Sequence, residues 1–215
     1  MTQEPQPRAI VYVDGFNFYY GALKGTALKW LEHRALASAL LRGHRITRVK
    51  YFTARVQDRT DDLGLSQRQD AYIRALQAHS DVEVHYGQFK QRRKSRPLAD
   101  KLKRGVVEFV AVVDTEEKGS DVSLGAHLVW DACHKEMDVA LVMSNDGDLV
   151  TPVQMAERAG ITVTTVNPHQ LRNQPRHLFG TDKRTLSRRL LARSQLPDPV
   201  YDAHGGQIRK PQEWS

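Results

Sequence analysis

The sequence predicts an α/β domain with a mostly parallel central sheet. Three observations predict it. Short apolar, β-branched runs recur along the chain, continuous rather than alternating, as in strands buried on both faces. Segments with helical spacing separate them, so strand and helix take turns. At 215 residues, 40% hydrophobic and 27% charged, the chain has the size and composition to bury a sizeable core.

Ala9 to Asp14 is the first such strand and stops at Asp-Gly. Apolar residues at helical spacing from Arg34 to Leu41 predict a helix that ends at Gly43. Ile46 to Val56 reads as the second strand, and Gln57 to Gly64, charged and turn-rich, as a loop. Ser66 with Gln69 three residues on forms a capping-box pattern, opening a helix with Tyr72, Ile73 and Leu76 as its apolar stripe. In the third strand, Val82 to Phe89, the residues Val82, Val84 and Tyr86 alternate with Glu83 and His85. Lys90 to Arg104 then carries eight basic residues in fifteen, with Asp100 as its one acid. Because Val106 to Val113 is apolar again, this stretch joins two strands as a long basic hairpin. Ser120 is placed to cap a helix reaching Lys135, with Val122, Ala126, Val129 and Cys133 on its inner side and Cys133 therefore in the core. Val139 to Met143 is a strand, Leu149 to Ala159 a helix ending at Gly160, and Ile161 to Val166 the last clear strand. Lys183 to Arg193 reads as a basic helix with Leu186, Leu190 and Leu191 inward. The tail behind it is either mobile or folded back through Gly205-Gly206. The expected organisation is one domain over 8–180, then a basic helix and tail over 181–215.

Composition narrows the function classes. A net charge of +7, from 32 Lys and Arg against 25 Asp and Glu, makes a polyanionic partner worth testing and says nothing of fold. The single cysteine allows no internal disulfide and no Cys-based zinc site, and fits a reducing cytoplasm. Met1 to Pro7 is polar and Pro-rich rather than signal-like, and no apolar run approaches the roughly 18 residues of a membrane span.

Ligands of open parallel sheets bind beyond the carboxyl ends of the strands. Two predicted strands end in acids there: Asp14-Gly-Phe-Asn17, and Ser144-Asn-Asp146-Gly-Asp148. Asp121 opens the helix before the second of these. Each acid has a local alternative, as a turn residue or a helix-start acid favoured by the dipole. Together they would repel one another unless a hard divalent cation, Mg²⁺ or Mn²⁺, held them. Phosphate-loop, dinucleotide and nucleophile-elbow motifs are absent, and the nine histidines show no metal-ligand spacing.

These residues carry a resemblance. Val11-Tyr-Val-Asp14-Gly-Phe-Asn17, Lys118-Gly-Ser-Asp121-Val and Leu141-Val-Met-Ser144-Asn-Asp146-Gly-Asp148, in that order, resemble the NYN domain family, and within it the LabA-like branch of the PIN-like nuclease superfamily. The resemblance implies a three-layer α/β/α domain with about five central strands, an ordinary sheet size. It further implies a metal-dependent nuclease, mostly directed at RNA. On that basis Asp14, Asp121, Asp146 and Asp148 are the expected holders of Mg²⁺ or Mn²⁺, one of them alternatively a general base. Asn17 and Ser144 are expected to orient ligands or water, or else to cap local backbone. Arg92, Arg93, Lys94 and Lys118 are the expected contacts to RNA, with single-stranded DNA as the other substrate. Phe16, Tyr19 and Tyr20 offer either stacking surfaces or a buried helix face. Two other readings follow: a nucleic-acid-binding or regulatory module with weak or no catalysis, and a small-molecule hydroxylase of the kind some relatives of this branch are named for.

Overall fold

Strand β1 (Arg8–Asp14) sends Ala9, Val11 and Val13 into one apolar core and Ile10 and Tyr12 into a second. That two-sided burial is what its uninterrupted apolar run requires. The computed structural model describes residues 5–103, 105, 107–169 and 180–214. Arg104 and Val106 of the basic hairpin, Ser215 of the tail and residues 170–179 of the expected domain lie outside the described residues.

On one face of the sheet lie α1 (Gly15–Phe18), α2 (His33–Leu40), α3 (Leu65–Ser80) and α7 (Arg188–Arg193); on the other lie α5 (Ser120–Cys133) and α6 (Val150–Arg158), while the short α4 (Ala99–Leu102) falls in the connection between the third and fourth strands. Between them run β2 (Arg45–Ala54), β3 (Glu83–Pro97), β4 (Phe109–Lys118), β5 (Val139–Met143), β6 (Thr162–Val166) and β7 (Asp182–Arg184) beside β1. The seven strands are ordered β4-β3-β2-β1-β5-β6-β7. All neighbours are parallel except β3 and β4. The expected α/β/α architecture is present, its five central parallel strands extended by β7 on one side and by antiparallel β4 on the other. Strand order reverses between β1 and β5, the position at whose carboxyl ends open α/β sheets form their ligand crevices.

Several local expectations need correction. Ser66 and Gln69 form no capping box: α3 starts from Gly64, Ser66 Oγ donates to Asp58 (2.7 Å), and Gln69 ties down the preceding loop through the Val56 amide and the Ala54 carbonyl (both 2.9 Å). Gly119, at φ 100° in the left-handed region a side chain disfavours, precedes α5, and Ser120 instead donates to Glu117 Oε2 (2.7 Å). The inner side of α5 is Leu124, Leu128 and Ala132, whereas Val122, Ala126 and Cys133 are exposed. What turns the helix is Asp131, buried with Lys50 Nζ and Tyr12 OH each 2.6 Å from its Oδ2. A buried carboxylate must face its cation, so this pair outranks a Val at a neighbouring position. Tyr86 points outward beneath the Arg55 guanidinium.

The basic stretch belongs mostly to a strand. β3 runs through to Pro97 and pairs with β4 from Gln88↔Lys118 to Pro97↔Phe109, so a two-stranded arm projects past the carboxyl edge of the sheet. Beyond 180, the expected helix from Lys183 is replaced by β7, which covers the open edge of β6, and α7 begins only after Ser187, whose Oγ accepts the Leu190 amide (3.2 Å). The tail folds back as a small hairpin, β8 (Val200–Tyr201) with β9 (Gln207–Ile208), turning through Gly205-Gly206. Val200 and Ile208 are buried in the α3-side core, and Trp214 packs on Trp30. No helix among the described residues is long and apolar enough to cross a membrane.

Ile208→Ala should therefore destabilise the whole domain by about 2 kcal/mol, the low end for deleting a buried branched side chain. Urea unfolding checks this, since a tail that moves independently of the core would leave the midpoint unchanged.

Candidate acidic metal centre

Asp14 is the last residue of β1 and the N-cap of α1, its Oδ1 accepting the Asn17 amide at 2.9 Å. The chain can turn there because residue 15 is glycine: a Cβ would come within 2.7 Å of the Tyr51 ring and 2.8 Å of the Phe52 carbonyl oxygen. The other oxygen of Asp14 accepts the Ser144 hydroxyl at 2.8 Å, directly across the strand-order reversal. Ser144 Oγ in turn accepts the Asp146 amide (3.1 Å), and Asn17 Oδ1 accepts the Asn145 amide (3.0 Å). Asp146 caps the short 3₁₀ turn Gly147–Leu149 by accepting the Asp148 amide (2.9 Å). So Asn17 and Ser144 each bridge the two strand ends, and the turn-capping alternative for Asp146 is present together with its place in the acid cluster.

Asp121, in the first turn of α5, completes the group. One carboxylate oxygen from each of Asp14, Asp121 and Asp146 lies within 4.8 Å of the others. Asp14 is 4% exposed; Asp121 and Asp146 are half-buried. Burial is the main force pushing Asp14 up to about 7, and the neighbouring Asp121 and Asp146 charges add to it against the lowering by Asn17 and Ser144. Asp121 is pushed up to about 6, first by burial, then by Asp146, Glu117 and Asp148. An all-carboxylate donor set in which two members resist ionising fits a hard divalent cation such as Mg²⁺ or Mn²⁺.

Asp148 stands apart. It is exposed and outside the three-acid group, acting on Asp121 only as a nearby charge. Glu117 and Tyr51 were not anticipated. Glu117 accepts from Ser120 and repels Asp121, and Tyr51 packs on Gly15 through the register Val13↔Tyr51. Strand pairing places Tyr51, and the turn from β4 into α5 places Glu117.

Of the expected nucleic-acid contacts, Arg92 and Arg93 are exposed on the arm and make no ion pair among the described residues. Lys94 is already held by Asp114 (2.6 Å) and Glu116, and Lys118 by Glu116 (3.0 Å). For Lys94, counting charge along β3 overlooks the acids delivered by β4.

Comparison with known proteins gives three results. The NYN domain family matches residues 8–179. The 6-hydroxy-3-succinoylpyridine 3-monooxygenase HspA of Pseudomonas putida is 32% identical over 220 residues, covering 88% of this chain and 70% of that protein. A crystal structure of a protein of unknown function from Vibrio parahaemolyticus superposes with a TM-score of 0.54 at 15% identity, over 87% of this chain and 98% of that one, a likeness of fold alone.

The raised acids make stability depend on pH. Folded Asp14 and Asp121 keep their protons up to about 7 and about 6, whereas unfolded carboxyls release theirs near 3.8. Their contribution is therefore fully present below pH 4, is lost progressively as pH rises from there, and is gone once pH has passed through 6 for Asp121 and 7 for Asp14. With chelator present, the melting temperature of wild type should fall more steeply across this window than that of Asp14→Asn. Added Mn²⁺, which takes the ionised form, should stabilise wild type more at the upper end than at the lower. Parallel melting curves for wild type and Asp14→Asn would contradict the raised value.

Proposed function

Since the chain belongs to the NYN domain family, we propose that it is a metal-dependent endoribonuclease hydrolysing RNA at the centre formed by Asp14, Asp121 and Asp146. One observation carries the reading: three carboxylates from three separate segments converge where the strand order reverses, an arrangement costly without a cation. Asp14, Asp121 and Asp146 would hold Mg²⁺ or Mn²⁺, with Asp148 as an outer acid. When bound, such an ion supplies a Lewis acid for the phosphate and a water of lowered pKa.

The chain's own residues do the positioning. Ser144 and the Asn17 amide fix the Asp14 rotamer, and Asn17 Oδ1 fixes the loop that carries Asp146. Asp121, half-buried in the first turn of α5, is the acid that would serve as general base if it does not hold the ion. Arg92 and Arg93, on the arm beside this edge, would contact phosphates, while Lys94 and Lys118 would first have to leave their acids.

Incubating the protein with RNA and single-stranded DNA, with and without Mn²⁺, tests the reading: Mn²⁺-dependent internal cleavage of RNA is expected. Asp146→Asn should lower cleavage by orders of magnitude while keeping the turn cap. Its metal-free melting temperature should equal or exceed wild type, and its Mn²⁺ increment should shrink. Binding without cleavage would make the chain a binding module. Consumption of 6-hydroxy-3-succinoylpyridine without RNA cleavage would instead move it to the activity named for its Pseudomonas relative.

The arm makes a separate prediction. Replacing Arg92 and Arg93 with Gln should weaken RNA binding and flatten the slope of log affinity against log salt by about 1 to 2. Lys94→Gln should change the slope less, because Asp114 and Glu116 already neutralise that charge. Equal slopes in all three proteins would leave the arm a solvated hairpin.

A further inference from the structure

A cavity of about 470 Å³ opens one residue from Asp14, with Gly15 in its wall. It lies between α1, the π-helical turn Tyr19–Leu23, the end of β2, α3 and the C-terminal Trp214. Its size is that of a small-ligand site. Phe16, Tyr19, Tyr20, Tyr51, Tyr72 and Trp214 are among the residues that line it. The core does not require all of these rings: Tyr20 is 47% exposed, and Tyr19 is half-buried with its ring 5.3 Å from that of Tyr20.

The walls are held before anything binds. Arg68 is fixed by the Leu63 carbonyl (3.0 Å), Glu213 (3.3 Å) and Asp62. Gln69 is fixed by the Val56 amide and the Ala54 carbonyl. A preorganised cavity loses little on binding. Lys29, Asp61 and Asp62 stand at its polar parts and offer both a donor and acceptors. Such a surface does not suit a phosphate, which would meet three carboxylates, Asp61, Asp62 and Glu213, with Arg68 already paired to two of them. It suits a planar heterocycle with aromatic rings against its faces and mixed hydrogen-bonding groups at its edge.

Position narrows the ligand further. Phe16 forms part of the cavity, follows Asp14 by two residues, and makes an edge-to-face contact with Phe89 at the root of the basic arm (ring centroids 5.6 Å apart). The acidic centre, the cavity and the arm therefore adjoin one another at one sheet edge. We infer that the cavity receives a nucleobase of a single-stranded substrate whose phosphate lies at the acidic centre. This rests on the nuclease reading and adds to it a base-stacking subsite.

Calorimetry on the full chain, in chelator, with AMP and UMP against ribose 5-phosphate tests the inference. The phosphates carry the same charge, so repulsion by the acids cancels in the comparison. The nucleotides should bind at least about fivefold tighter than ribose 5-phosphate, the low end for one stacked base. In the double variant Tyr19→Ala, Tyr20→Ala this advantage should shrink to about twofold or less, with the Mn²⁺-induced rise in melting temperature retained. Should the double variant fail to fold, Tyr20→Leu alone should still reduce the advantage. Equal binding of nucleotide and sugar phosphate by wild type would overturn the subsite. So would binding of pyridine-3-carboxylate as tightly as AMP, which would mark a site for free heterocycles. RNA cleavage without base discrimination would defeat the subsite and leave the nuclease reading intact. Base discrimination without cleavage would defeat the nuclease reading, and with it the placement of a scissile phosphate beside the cavity.

Discussion

The carboxylate of Asp14 is the constraint on which the rest of the acidic edge depends. One oxygen holds the start of α1 through the Asn17 amide, and the other holds the end of β5 through Ser144. The second of these bonds crosses the strand-order reversal, so one carboxylate ties the turn after β1 to the end of β5. The same carboxylate is almost wholly buried and has two acids beside it. Burial and like charge both oppose its ionisation, while its two donors favour it. The edge thus holds a group near its titration point, and the packing of the sheet supplies the free energy that keeps it there.

The bonds around Asp14 also explain why Asn17 and Ser144 belong to the centre without belonging to the acid cluster. Neither presents a carboxylate. Ser144 donates to Asp14 and accepts from the Asp146 amide, so one hydroxyl sets the spacing of two acids. Asn17 does the equivalent with its amide nitrogen on the backbone and its side-chain oxygen, reaching Asp14 and Asn145 respectively. A centre made of repelling groups needs such neutral bridges, since hydrogen bonds to an ionised acceptor are among the stronger ones available.

Much of this was legible in the sequence, because the informative residues sit at strand ends where a local pattern changes. Ala9 to Asp14 and Val139 to Ser144 announce their burial by continuous apolarity and their ends by Asp-Gly and Ser-Asn-Asp-Gly. What the sequence hid is whatever depends on a partner distant in the chain. The inner face of α5 is set by Asp131 meeting Lys50 from β2, and no spacing within the helix reveals that. The charge of Lys94 is cancelled by residues about twenty positions on, across the hairpin. Asp148 shares a motif with Asp146, but the 3₁₀ turn between them points it to solvent. The stretch after 180 reads as a basic helix because its leucines have helical spacing, yet the open edge of β6 takes its first residues as a strand.

The arm and the acids pose an apparent contradiction for a polyanionic ligand, which the first attracts and the second repels. Distance removes it. Gly87 is the last residue of β3 paired to the main sheet, and Arg92 lies five residues further along the strand. At about 3.3 Å per residue, that is roughly 16 Å. Screening at physiological salt acts over about 8 Å, so the exposed arginines of the arm are only weakly felt at the acids. If the arm contacts RNA as proposed, its attraction and the repulsion at the centre act on different phosphates of the same strand. On the proposed reading, the phosphate that reaches the acids needs a cation there, and the neighbouring ones need only the arginines. A single basic patch surrounding the acids would instead neutralise them, lower their pKa values and weaken their hold on a metal. The projecting hairpin keeps the two kinds of charge apart, and the length of β3 beyond the sheet is what sets that separation.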